Sequence, residues 1–277
     1  MNRLAVLGQP IAHSLSPRMQ TAAFAALGID GEWSYEAIEL SPERFADGVA
    51  DLRERGFVGA NVTVPHKAAA LAIAEQPSEA ARAIGAANTL TFTAAGIRAD
   101  NTDAPGLIAA LPASPRGKRA VVLGAGGAAR AAVWALLEAG ADVEVRNRSA
   151  ERGAELVADL GGRLAAPGQP LDLSSCEILV NATAVGLAKP GAEPGAAGSD
   201  LKKLGIEADG LDEHLILVDL VYGAEPTELT AAGRRGGAKV VDGREILVRQ
   251  GALSFRIWTG LEPPLQAMRD AIEEQRR

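Results

Sequence analysis

A glycine-rich turn in the middle of the sequence most constrains how this chain can fold. The apolar run 120–123 leads into Gly124-Ala125-Gly126-Gly127-Ala128, and residues 129–137 then have the composition of a helix. A strand, a G-x-G-x-x-G/A turn and a helix in this order are typical of dinucleotide-binding units, because the glycines let the backbone turn tightly and approach a pyrophosphate. The N–H groups at the helix start then face the phosphates. The turn therefore predicts a dinucleotide site, with an ordinary strand–helix connection as the alternative.

Composition and charge narrow the class of protein. The chain has 277 residues, a formal net charge of −7 and one cysteine, Cys176. An acidic chain of this kind is not expected to bind nucleic acid or an anionic membrane, and it contains no apolar stretch long enough to span a bilayer. A single cysteine excludes an internal disulfide and a multi-cysteine metal site, and we expect no bound metal. We therefore expect a cytoplasmic protein that acts on a small molecule.

Strand-like and helical segments alternate along the whole sequence. The strand-like runs are at residues 4–7, 33–38, 58–64, 89–92, 97–99, 120–123, 142–145, 177–180, 215–220 and 239–241. This alternation predicts an α/β protein with a mainly parallel sheet in the N-terminal half. A Pro- and Ser-rich linker at 112–117 separates that half from a second domain, which begins at the glycine turn and is predicted to be Rossmann-type.

Lys67 is the strongest candidate for a catalytic group in the first half. It follows the strand-like run 58–64 and starts a helical segment, where the helix dipole disfavours the charged form of a lysine. It is also the only lysine before Lys118, in a chain that otherwise uses arginine there. A lysine can act as a general base, whereas an arginine cannot release its proton. His66 is the competing candidate, and an ordinary solvated lysine is the remaining alternative.

Short polar side chains precede two helices of the first half. Ser14 and Ser16 stand before Pro17, so we expect Ser16 to cap a helix that has Pro17 as its first residue. The alternative interpretation is that the two hydroxyls hold a small anion such as a carboxylate. Asp103 stands before the helical segment 107–111, and helix capping is the interpretation that the local sequence favours for it.

Two polar loops of the second half follow predicted strands. Arg146 and Arg148 come directly after the strand at 142–145, and Arg152 stands one turn into the next helix. NAD-binding units place an acid at this point for the ribose 2′-hydroxyl, whereas arginines beside a helix start suit a 2′-phosphate. We therefore expect NADP(H) rather than NAD(H), with ordinary solvated arginines as the alternative. The second loop, 181–186, follows the next strand at a position where open parallel sheets bind ligands.

Further motifs along nearly the whole chain make the sequence resemble the shikimate/quinate dehydrogenase family. Besides the glycine turn, the elements that carry the resemblance are Ser14-x-Ser16-Pro17, Asn61-Val62-Thr63-Val64-Pro65-His66-Lys67, Gly85-Ala86-Ala87-Asn88-Thr89, Asn101-Thr102-Asp103-x-x-Gly106, Asn147-Arg148-Ser149, Asn181-Ala182-Thr183-x-x-Gly186, Asp219-x-x-Tyr222 and Gln250-Gly251-Ala252. The Pro-His-Lys and Asn-Thr-Asp elements, in that order before the glycine turn, are the most specific. The resemblance implies NADPH-dependent, reversible reduction of 3-dehydroshikimate to shikimate, a step of aromatic amino-acid biosynthesis. We expect the protein to be a monomer or homodimer.

The resemblance also implies roles for individual residues. Lys67 takes the position of the proton acceptor and donor at the reacting oxygen, with Asp103 beside it, and both are implied to contact the substrate. Ser14 and Ser16 match positions that hold the substrate carboxylate. The positions that meet the carboxylate and ring hydroxyls are Thr63, Asn88, Tyr222 and Gln250. The cofactor positions are Gly124, Ala125, Gly126, Gly127 and Ala128 for the pyrophosphate, Asn147, Arg148, Ser149 and Arg152 for the adenosine phosphate, Thr183, and Leu220 and Gly243 beside the nicotinamide.

The order of these elements implies a domain layout. Because Lys67 and Asp103 precede the glycine turn and Gln250 follows it, we expect a substrate domain of residues 1–104 and 246–277 and a cofactor domain of residues 105–245, with the active site in the cleft between them. Two other functions stay open: an NAD-dependent quinate/shikimate dehydrogenase, and a non-catalytic NADPH-binding sensor. The arginines argue against the first, and the retained Lys–Asp pair argues against the second.

Overall fold

The chain forms two compact α/β units. The computed structural model describes residues 1–166, 168–187, 199–223 and 225–273. One unit consists of Met1–Gly106 with the described residues from Leu247 onward, and the other consists of Leu107–Ile246. Each unit contains a six-stranded sheet and several helices, so the predicted α/β class is confirmed. No helix in the described ranges is long and apolar enough to cross a membrane.

The first unit is built on a mixed sheet. Its elements up to the linker are β1 (Asn2–Gly8), α1 (Ser16–Ala26), β2 (Trp33–Glu39), α2 (Phe45–Glu54), β3 (Phe57–Val62), α3 (Lys67–Ala72), β4 (Gln76–Pro77), α4 (Glu79–Ile84), β5 (Thr89–Thr93), β6 (Gly96–Asp100) and α5 (Asp103–Ala110). The strand order is β2-β1-β3-β5-β6-β4, with β5 antiparallel to β3 and β6 and the other pairs parallel. The carboxyl ends of β1, β3 and β6 and the start of β5 therefore share one edge of the sheet.

The second unit has the Rossmann arrangement. Its elements are β7 (Arg119–Leu123), α6 (Gly127–Glu138), β8 (Asp142–Arg146), α7 (Ala150–Leu160), β9 (Arg163–Leu164), β10 (Ile178–Asn181), α8 (Asp200–Leu204), β11 (Ile216–Asp219), α9 (Glu228–Gly236) and β12 (Lys239–Val241). The strands pair in parallel in the order β12-β11-β10-β7-β8-β9. The chain order reverses between β7 and β10, and open parallel sheets bind ligands at such a point, outside the carboxyl ends of the strands.

Two C-terminal helices complete the first unit. They are α10 (Gly243–Thr259) and α11 (Leu265–Glu273). The ring of Phe255 on α10 lies 5.6 Å from the ring of Phe24 on α1, and Trp258 Nε1 donates a 3.0 Å hydrogen bond to the Leu90 carbonyl of β5. Helix α11 packs along α1. The expectation that the C-terminal helices pack back on the first domain is therefore confirmed.

The start of α1 differs from the expectation. Leu15 already has helical backbone angles, Ser16 is the first helical residue, Pro17 is the second, and no side chain caps the helix. A serine that caps a helix lies directly before the first helical residue and itself has an extended backbone. Ser14 Oγ instead accepts a 3.3 Å hydrogen bond from the Ser16 N–H. The predicted capping role of Ser16 is therefore wrong, because the chain turns into the helix before it reaches Ser16.

Candidate active site

Lys67 and Asp103 form the centre of the candidate site in the first unit. They are the first residues of α3 and α5, which start at the same edge of the sheet. The Lys67 Nζ atom lies 2.6 Å from Asp103 Oδ2, and the two side chains are 13% and 17% exposed. Charge-assisted hydrogen bonds of this length are among the strong ones in proteins. The pair is therefore largely sheltered from bulk water but not fully buried.

The carboxylate of Asp103 does not cap α5. Asn101 Oδ1 caps the helix instead, since it accepts hydrogen bonds from the Asp103 N–H at 3.1 Å and from the Ala104 N–H at 3.2 Å. The Asn101 amide is held in turn by its 2.9 Å bond to the Ala86 carbonyl. The capping interpretation of Asp103 is therefore wrong. Because Asn101 takes that role, both carboxylate oxygens of Asp103 are available to other side chains.

Asn88 joins Asp103 to Gln250. The Thr102 N–H donates a 2.7 Å hydrogen bond to Asn88 Oδ1, which fixes the orientation of the amide because a backbone N–H can only donate. Asn88 Nδ2 then donates to Asp103 Oδ1 at 2.9 Å and to Gln250 Oε1 at 3.1 Å. Four predicted site residues, Lys67, Asp103, Asn88 and Gln250, are thereby brought into one connected group.

A buried network of hydroxyls and amides continues behind Asn88. Tyr35 donates a 2.7 Å hydrogen bond to Asn61 Oδ1, and Asn61 Nδ2 donates to Ser254 Oγ at 3.0 Å. Ser254 Oγ also lies 2.8 Å from Thr89 Oγ1 and 3.1 Å from Thr102 Oγ1. These contacts tie helix α10 to the strands that carry the site.

Ser254 was missed by the sequence reasoning. It is fully buried and stands four residues after Gln250, so both side chains lie on the same face of α10. That spacing was the signal available in the sequence. A buried serine needs hydrogen-bond partners. Those of Ser254 are Asn61, Thr89 and Thr102, which lie in or next to the strands that carry the site.

His66, next to Lys67 in the chain, has a structural role. It is buried, its Nε2 lies 2.8 Å from the Leu40 carbonyl, and its ring stacks on Phe45 with 4.5 Å between centroids. A ring held in this way packs α3 against the start of α2. Of the two candidates for proton transfer, Lys67 is the one that the structure pairs with a carboxylate.

Ser14, Ser16 and Thr63 follow the carboxyl ends of β1 and β3. A Cβ atom at Gly8 would lie 2.5 Å from Thr63 Cγ2, so the glycine is what lets the two loops approach. The Gln9 N–H donates a 3.0 Å hydrogen bond to the Val64 carbonyl and joins them further. Ser16 is buried, and Ser14 and Thr63 are half-buried. The structure thus places these three predicted residues at the same sheet edge as Lys67.

The glycine turn of the second unit has the geometry of a phosphate cradle. Gly124 has φ +115°, a backbone conformation that side chains disfavour, and a Cβ atom there would lie 2.8 Å from the Ala182 carbonyl oxygen. Gly126 precedes α6, and no side chain caps the N–H groups of Gly127 and Ala128. Free N–H groups at a helix start bind anions. The turn, which includes Ala125, therefore fits a pyrophosphate.

The loop after β8 leaves two arginines exposed. Asn147 Nδ2 donates a 2.8 Å hydrogen bond to the Ser149 carbonyl, and Ser149 caps α7 by accepting from the Arg152 N–H. The side chains of Arg148 and Arg152 are exposed around this helix start. Two guanidinium groups at a capped but otherwise open helix start suit a phosphate group.

Arg146 does not belong to that cluster. Its Nε donates a 2.8 Å hydrogen bond to Glu144 Oε1, and its two terminal nitrogens bind the carbonyls of Gln169 and Pro170. Burial alone would raise the pKa of Glu144, but the hydrogen bonds and charges of Arg146 and Arg163 outweigh burial and lower that pKa. The expectation that Arg146 serves a 2′-phosphate is therefore wrong, because a buried carboxylate on its own strand occupies it.

The remaining predicted cofactor residues, Thr183, Leu220 and Gly243, follow β10, β11 and β12 respectively. Thr183 lies beside Gly124, since a Cβ atom there would be 3.4 Å from Thr183 Cγ2. Gly243 approaches the preceding loop closely: a Cβ atom there would lie 2.9 Å from the Leu220 carbonyl oxygen. Gly243 and the half-buried Tyr222 line the same groove. Leu220, Tyr222 and Gly243 are therefore neighbours in the second unit, and the implied contact of Tyr222 with a substrate stays a prediction.

No metal centre is visible among the residues that the structure describes. No group of three or more His, Cys, Asp or Glu side chains in those ranges has the arrangement of a metal site. Burial raises the pKa of the Cys176 thiol to about 11. That thiol is therefore protonated and inert at neutral pH.

Comparison with known proteins connects this geometry to a family. Residues 6–90 match a family model described as the shikimate dehydrogenase substrate binding domain, residues 109–188 one described as shikimate / quinate 5-dehydrogenase, and residues 243–273 one described as the shikimate 5'-dehydrogenase C-terminal domain. The shikimate dehydrogenase (NADP(+)) of Anaeromyxobacter dehalogenans strain 2CP-C is 44% identical over 280 residues, which cover 97% of this chain and 94% of the relative.

The chain belongs to the shikimate dehydrogenase family.

Other members of this family support the assignment. The shikimate dehydrogenase (NADP(+)) of Methanothrix thermoacetophila is 42% identical, over 98% of this chain and 97% of the relative. The crystal structure of shikimate 5-dehydrogenase from Thermus thermophilus, in complex with NADP(H) and shikimate, is 40% identical with a TM-score of 0.83, and the match covers 99% of this chain and 100% of that one. The family resemblance of the motifs is therefore confirmed over nearly the full length.

Proposed function

We propose that this protein catalyses the reversible reduction of 3-dehydroshikimate to shikimate with NADPH, as an oxidoreductase of aromatic amino-acid biosynthesis. The observation that carries the proposal is the sheltered Lys67–Asp103 pair, which supplies a proton-transfer group in the unit that matches the substrate-binding family model. The printed names of the relatives, which specify shikimate and NADP, support both the substrate and the cofactor.

Lys67 performs the proton transfer. When bound, NADPH supplies the hydride that reduces the carbonyl carbon of the substrate. The Lys67 ammonium donates a proton to the oxygen of that carbonyl, so that the carbonyl becomes a hydroxyl group and the lysine becomes neutral. In the reverse direction, neutral Lys67 takes the hydroxyl proton. Asp103 orients Nζ through their 2.6 Å contact.

The other residues of the first unit hold the substrate. The hydroxyls of Ser14 and Ser16 bind its carboxylate, and Thr63, Asn88 and Gln250 bind the carboxylate and ring hydroxyls, with Tyr222 as a further contact. These substrate-binding roles are supported by two observations: the residues of the first unit lie at one edge of the sheet, and Asn88 hydrogen-bonds to both Asp103 and Gln250. On this basis residues 1–104 and 246–277 form the substrate domain.

The second unit, residues 105–245, binds the cofactor. The N–H groups of the turn from Gly124 to Ala128 hold the pyrophosphate, and the loop from Asn147 to Arg152 holds the adenosine phosphate. Arg148 and Arg152 select NADP(H) over NAD(H), because their two exposed guanidinium groups can bind a 2′-phosphate and residues 147–150, directly after β8, contain no carboxylate. Thr183 contacts the cofactor beside the glycine turn, and Leu220 and Gly243 line the nicotinamide.

The cellular setting is also part of the proposal. A chain with a single, buried cysteine fits a reducing compartment, which supports a cytoplasmic location. We infer a monomer or homodimer that acts on a small molecule, with no nucleic-acid or membrane partner.

Initial rates with each pairing of NADP+ or NAD+ with shikimate or quinate test the proposal. We expect the largest kcat/KM for shikimate with NADP+. Faster turnover of quinate with NAD+ would assign the protein to the alternative quinate/shikimate activity. Binding of NADP+ without turnover of either substrate would assign it to a non-catalytic sensor.

A further inference from the structure

Asp219 is a buried carboxylate that the proposed chemistry does not use. It is the last residue of β11 and is fully buried. Among the described residues no lysine, arginine or histidine forms an ion pair with it. Burial raises its pKa above the usual value. A buried carboxylate without a counter-ion is costly, so its hydrogen-bond partners must hold it in place.

Asp219 accepts hydrogen bonds from three donors, one at the end of β10 and two in the segment after β11. Its Oδ1 accepts hydrogen bonds from Asn181 Nδ2 at 2.9 Å and from the Val221 N–H at 3.1 Å. Its Oδ2 accepts from Thr227 Oγ1 at 2.5 Å. The carboxylate therefore joins the end of β10 to the backbone that follows β11.

Asn181, which Asp219 holds, in turn hydrogen-bonds to Thr183. Because Asp219 accepts from the amide nitrogen, the amide oxygen of Asn181 must face the opposite side. That oxygen accepts from the Thr183 N–H at 3.1 Å and from Thr183 Oγ1 at 2.7 Å. Thr183 Oγ1 accepts in turn from the Val185 N–H at 3.0 Å. The orientation of one amide, set by Asp219, thus fixes the backbone and hydroxyl of Thr183.

The loop fixed in this way contacts the glycine turn. The Ala182 carbonyl oxygen and Thr183 Cγ2 lie 2.8 Å and 3.4 Å from where a Gly124 Cβ atom would be. This contact lies at the reversal point of the strand order, between β7 and β10. On its other side, Asp219 holds Val221, whose carbonyl oxygen lies 2.7 Å from where a Gly243 Cβ atom would be.

We propose that Asp219 is a positioning residue for the cofactor: through Asn181 it holds Thr183 against the glycine turn, and through the Val221 N–H it holds the backbone beside Gly243. The inference rests on the proposed use of NADP(H). Asp219 acts through its neighbours and does not touch the reacting atoms.

A conservative and a non-conservative substitution of Asp219 have different expected effects. In Asp219→Asn, the amide oxygen can still accept from Asn181 and Val221, while the new amide nitrogen donates to Thr227 Oγ1. Thr227 Oγ1 already lies 3.1 Å from Thr230 Oγ1, to which it can then donate. Asp219→Ala removes all three acceptor contacts and leaves buried donors unpaired. The role we propose needs the acceptor geometry and not the charge.

The test measures the NADP+ dissociation constant by isothermal titration calorimetry, without turnover. We expect Asp219→Ala to weaken binding about tenfold and Asp219→Asn to bind within about twofold of the wild type. Asp172→Ala is the matched control in the same unit: Asp172 is exposed and accepts hydrogen bonds from Ser174, and its loss should leave binding unchanged. Thermal unfolding of each variant shows whether it is folded.

A double-mutant cycle separates positioning from general destabilisation. If Asp219 acts through Thr183, Asp219→Ala weakens binding less on a Thr183→Ala background than alone. If Asp219→Ala does not fold, Asn181→Ala removes the link between Asp219 and Thr183 while Asp219 stays in place. We expect it to weaken NADP+ binding to a similar extent.

The inference is overturned if Asp219→Ala or Asn181→Ala binds NADP+ with wild-type affinity. It is also overturned if Asp219→Ala and Asp219→Asn lose the same NADP+ affinity, because cofactor binding would then require the charge of Asp219. A wild-type protein that binds no NADP+ would instead refute the proposed function itself.

Discussion

Lys67 Nζ lies 2.6 Å from Asp103 Oδ2, although 36 residues separate the two positions in the chain. The contact exists because β3 and β6 end at the same edge of one sheet and each is followed by a helix that starts with one member of the pair. Asn101 caps the second helix and leaves the Asp103 carboxylate to Lys67.

Replacing Lys67 by alanine should remove proton transfer and leave the substrate largely able to bind. We expect kcat to fall by about 10²- to 10⁴-fold, with a much smaller change in the shikimate dissociation constant measured by calorimetry. Lys67→Arg should be similarly inactive, because arginine cannot release a proton. Lys118→Ala, which removes a lysine paired with Glu177 in the second unit, is the control. Near-normal kcat in Lys67→Ala would move the proton transfer to another group.

Arg148 and Arg152 should determine the choice between NADP+ and NAD+. The double variant Arg148→Ala/Arg152→Ala should raise the KM for NADP+ by about 10- to 100-fold, the effect of losing charge-assisted contacts to a phosphate, and should leave the KM for NAD+ nearly unchanged. Arg235→Ala, an exposed arginine on α9, is the control. Equal changes in the KM for NADP+ and the KM for NAD+ would show that these arginines do not bind the 2′-phosphate.

Gly106 should control where Gln250 lies. A Cβ atom at position 106 would be 2.9 Å from the Gln250 backbone nitrogen, so Gly106→Ala must push α10 away from α5. We expect a higher KM for shikimate, an unchanged KM for NADP+, and a loss of about 1–3 kcal/mol in the free energy of unfolding. Gly31→Ala is the matched control, since nothing lies within 4 Å of a Cβ atom there. An unchanged shikimate KM in a folded Gly106→Ala protein contradicts the prediction.

Ser254 should matter for both stability and substrate affinity. Ser254→Ala leaves buried hydrogen-bond partners on Asn61, Thr89 and Thr102 without this hydroxyl, and we expect a loss of about 1–3 kcal/mol in urea unfolding. The KM for shikimate should rise, because the network holds Asn88 and α10 together. Ser114→Ala, at an exposed position in the linker, should change neither quantity. A loss of stability with no change in KM would confine Ser254 to a structural role.

Asp219 should make stability depend on pH with a recognisable sign. Burial raises the pKa of Asp219 above its usual 3.8, so the folded state holds this proton more tightly than the unfolded state. Its contribution is therefore complete below about pH 3.8 and is lost as the pH rises through the folded-state value. Asp219→Asn does not titrate. We expect the unfolding free energy of Asp219→Asn, minus that of the wild type, to increase from acid to neutral pH in urea titrations.

Glu144 provides the control of opposite sign. Burial opposes ionisation of this carboxyl, but Arg146 and Arg163 outweigh burial and lower its pKa below the usual 4.5. Its contribution to stability is present at neutral pH and is lost as the pH falls through the folded-state value. Glu144→Gln should therefore be destabilised relative to the wild type at pH 7, and this difference should shrink in acid. Slopes of the same sign for the two variants would contradict at least one of the two assignments.

Local sequence was a reliable guide where neighbouring residues decide the structure. The strand–turn–helix around Gly124 and the order of strands and helices were predicted from apolar runs and turn residues, because tight turns and helix starts depend on a few adjacent residues. The motifs around Lys67 and Asp103 identified the pair through the family resemblance. Their local context alone favoured helix capping for Asp103, which was wrong.

The error at Ser16 arose because the helix begins one residue earlier than expected. The other two errors share one cause: Asp103 and Arg146 each have several possible partners nearby, and the partner actually used depends on what the fold places opposite. For Arg146 it is Glu144 and two carbonyls of a later loop, and for Asp103 it is Lys67 and Asn88. No periodicity or spacing encodes such a choice.

By itself, the sequence determined the two α/β units, the dinucleotide turn and the family, because hydrophobic periodicity, turn chemistry and motifs are written in consecutive residues. Only the tertiary structure decided that Asn88 bridges Asp103 and Gln250, that Ser254 ties α10 to the strands, and that Asp219 holds Asn181. The physical reason is that a buried polar group must find a partner, and its partner is supplied by chain segments tens to hundreds of residues away.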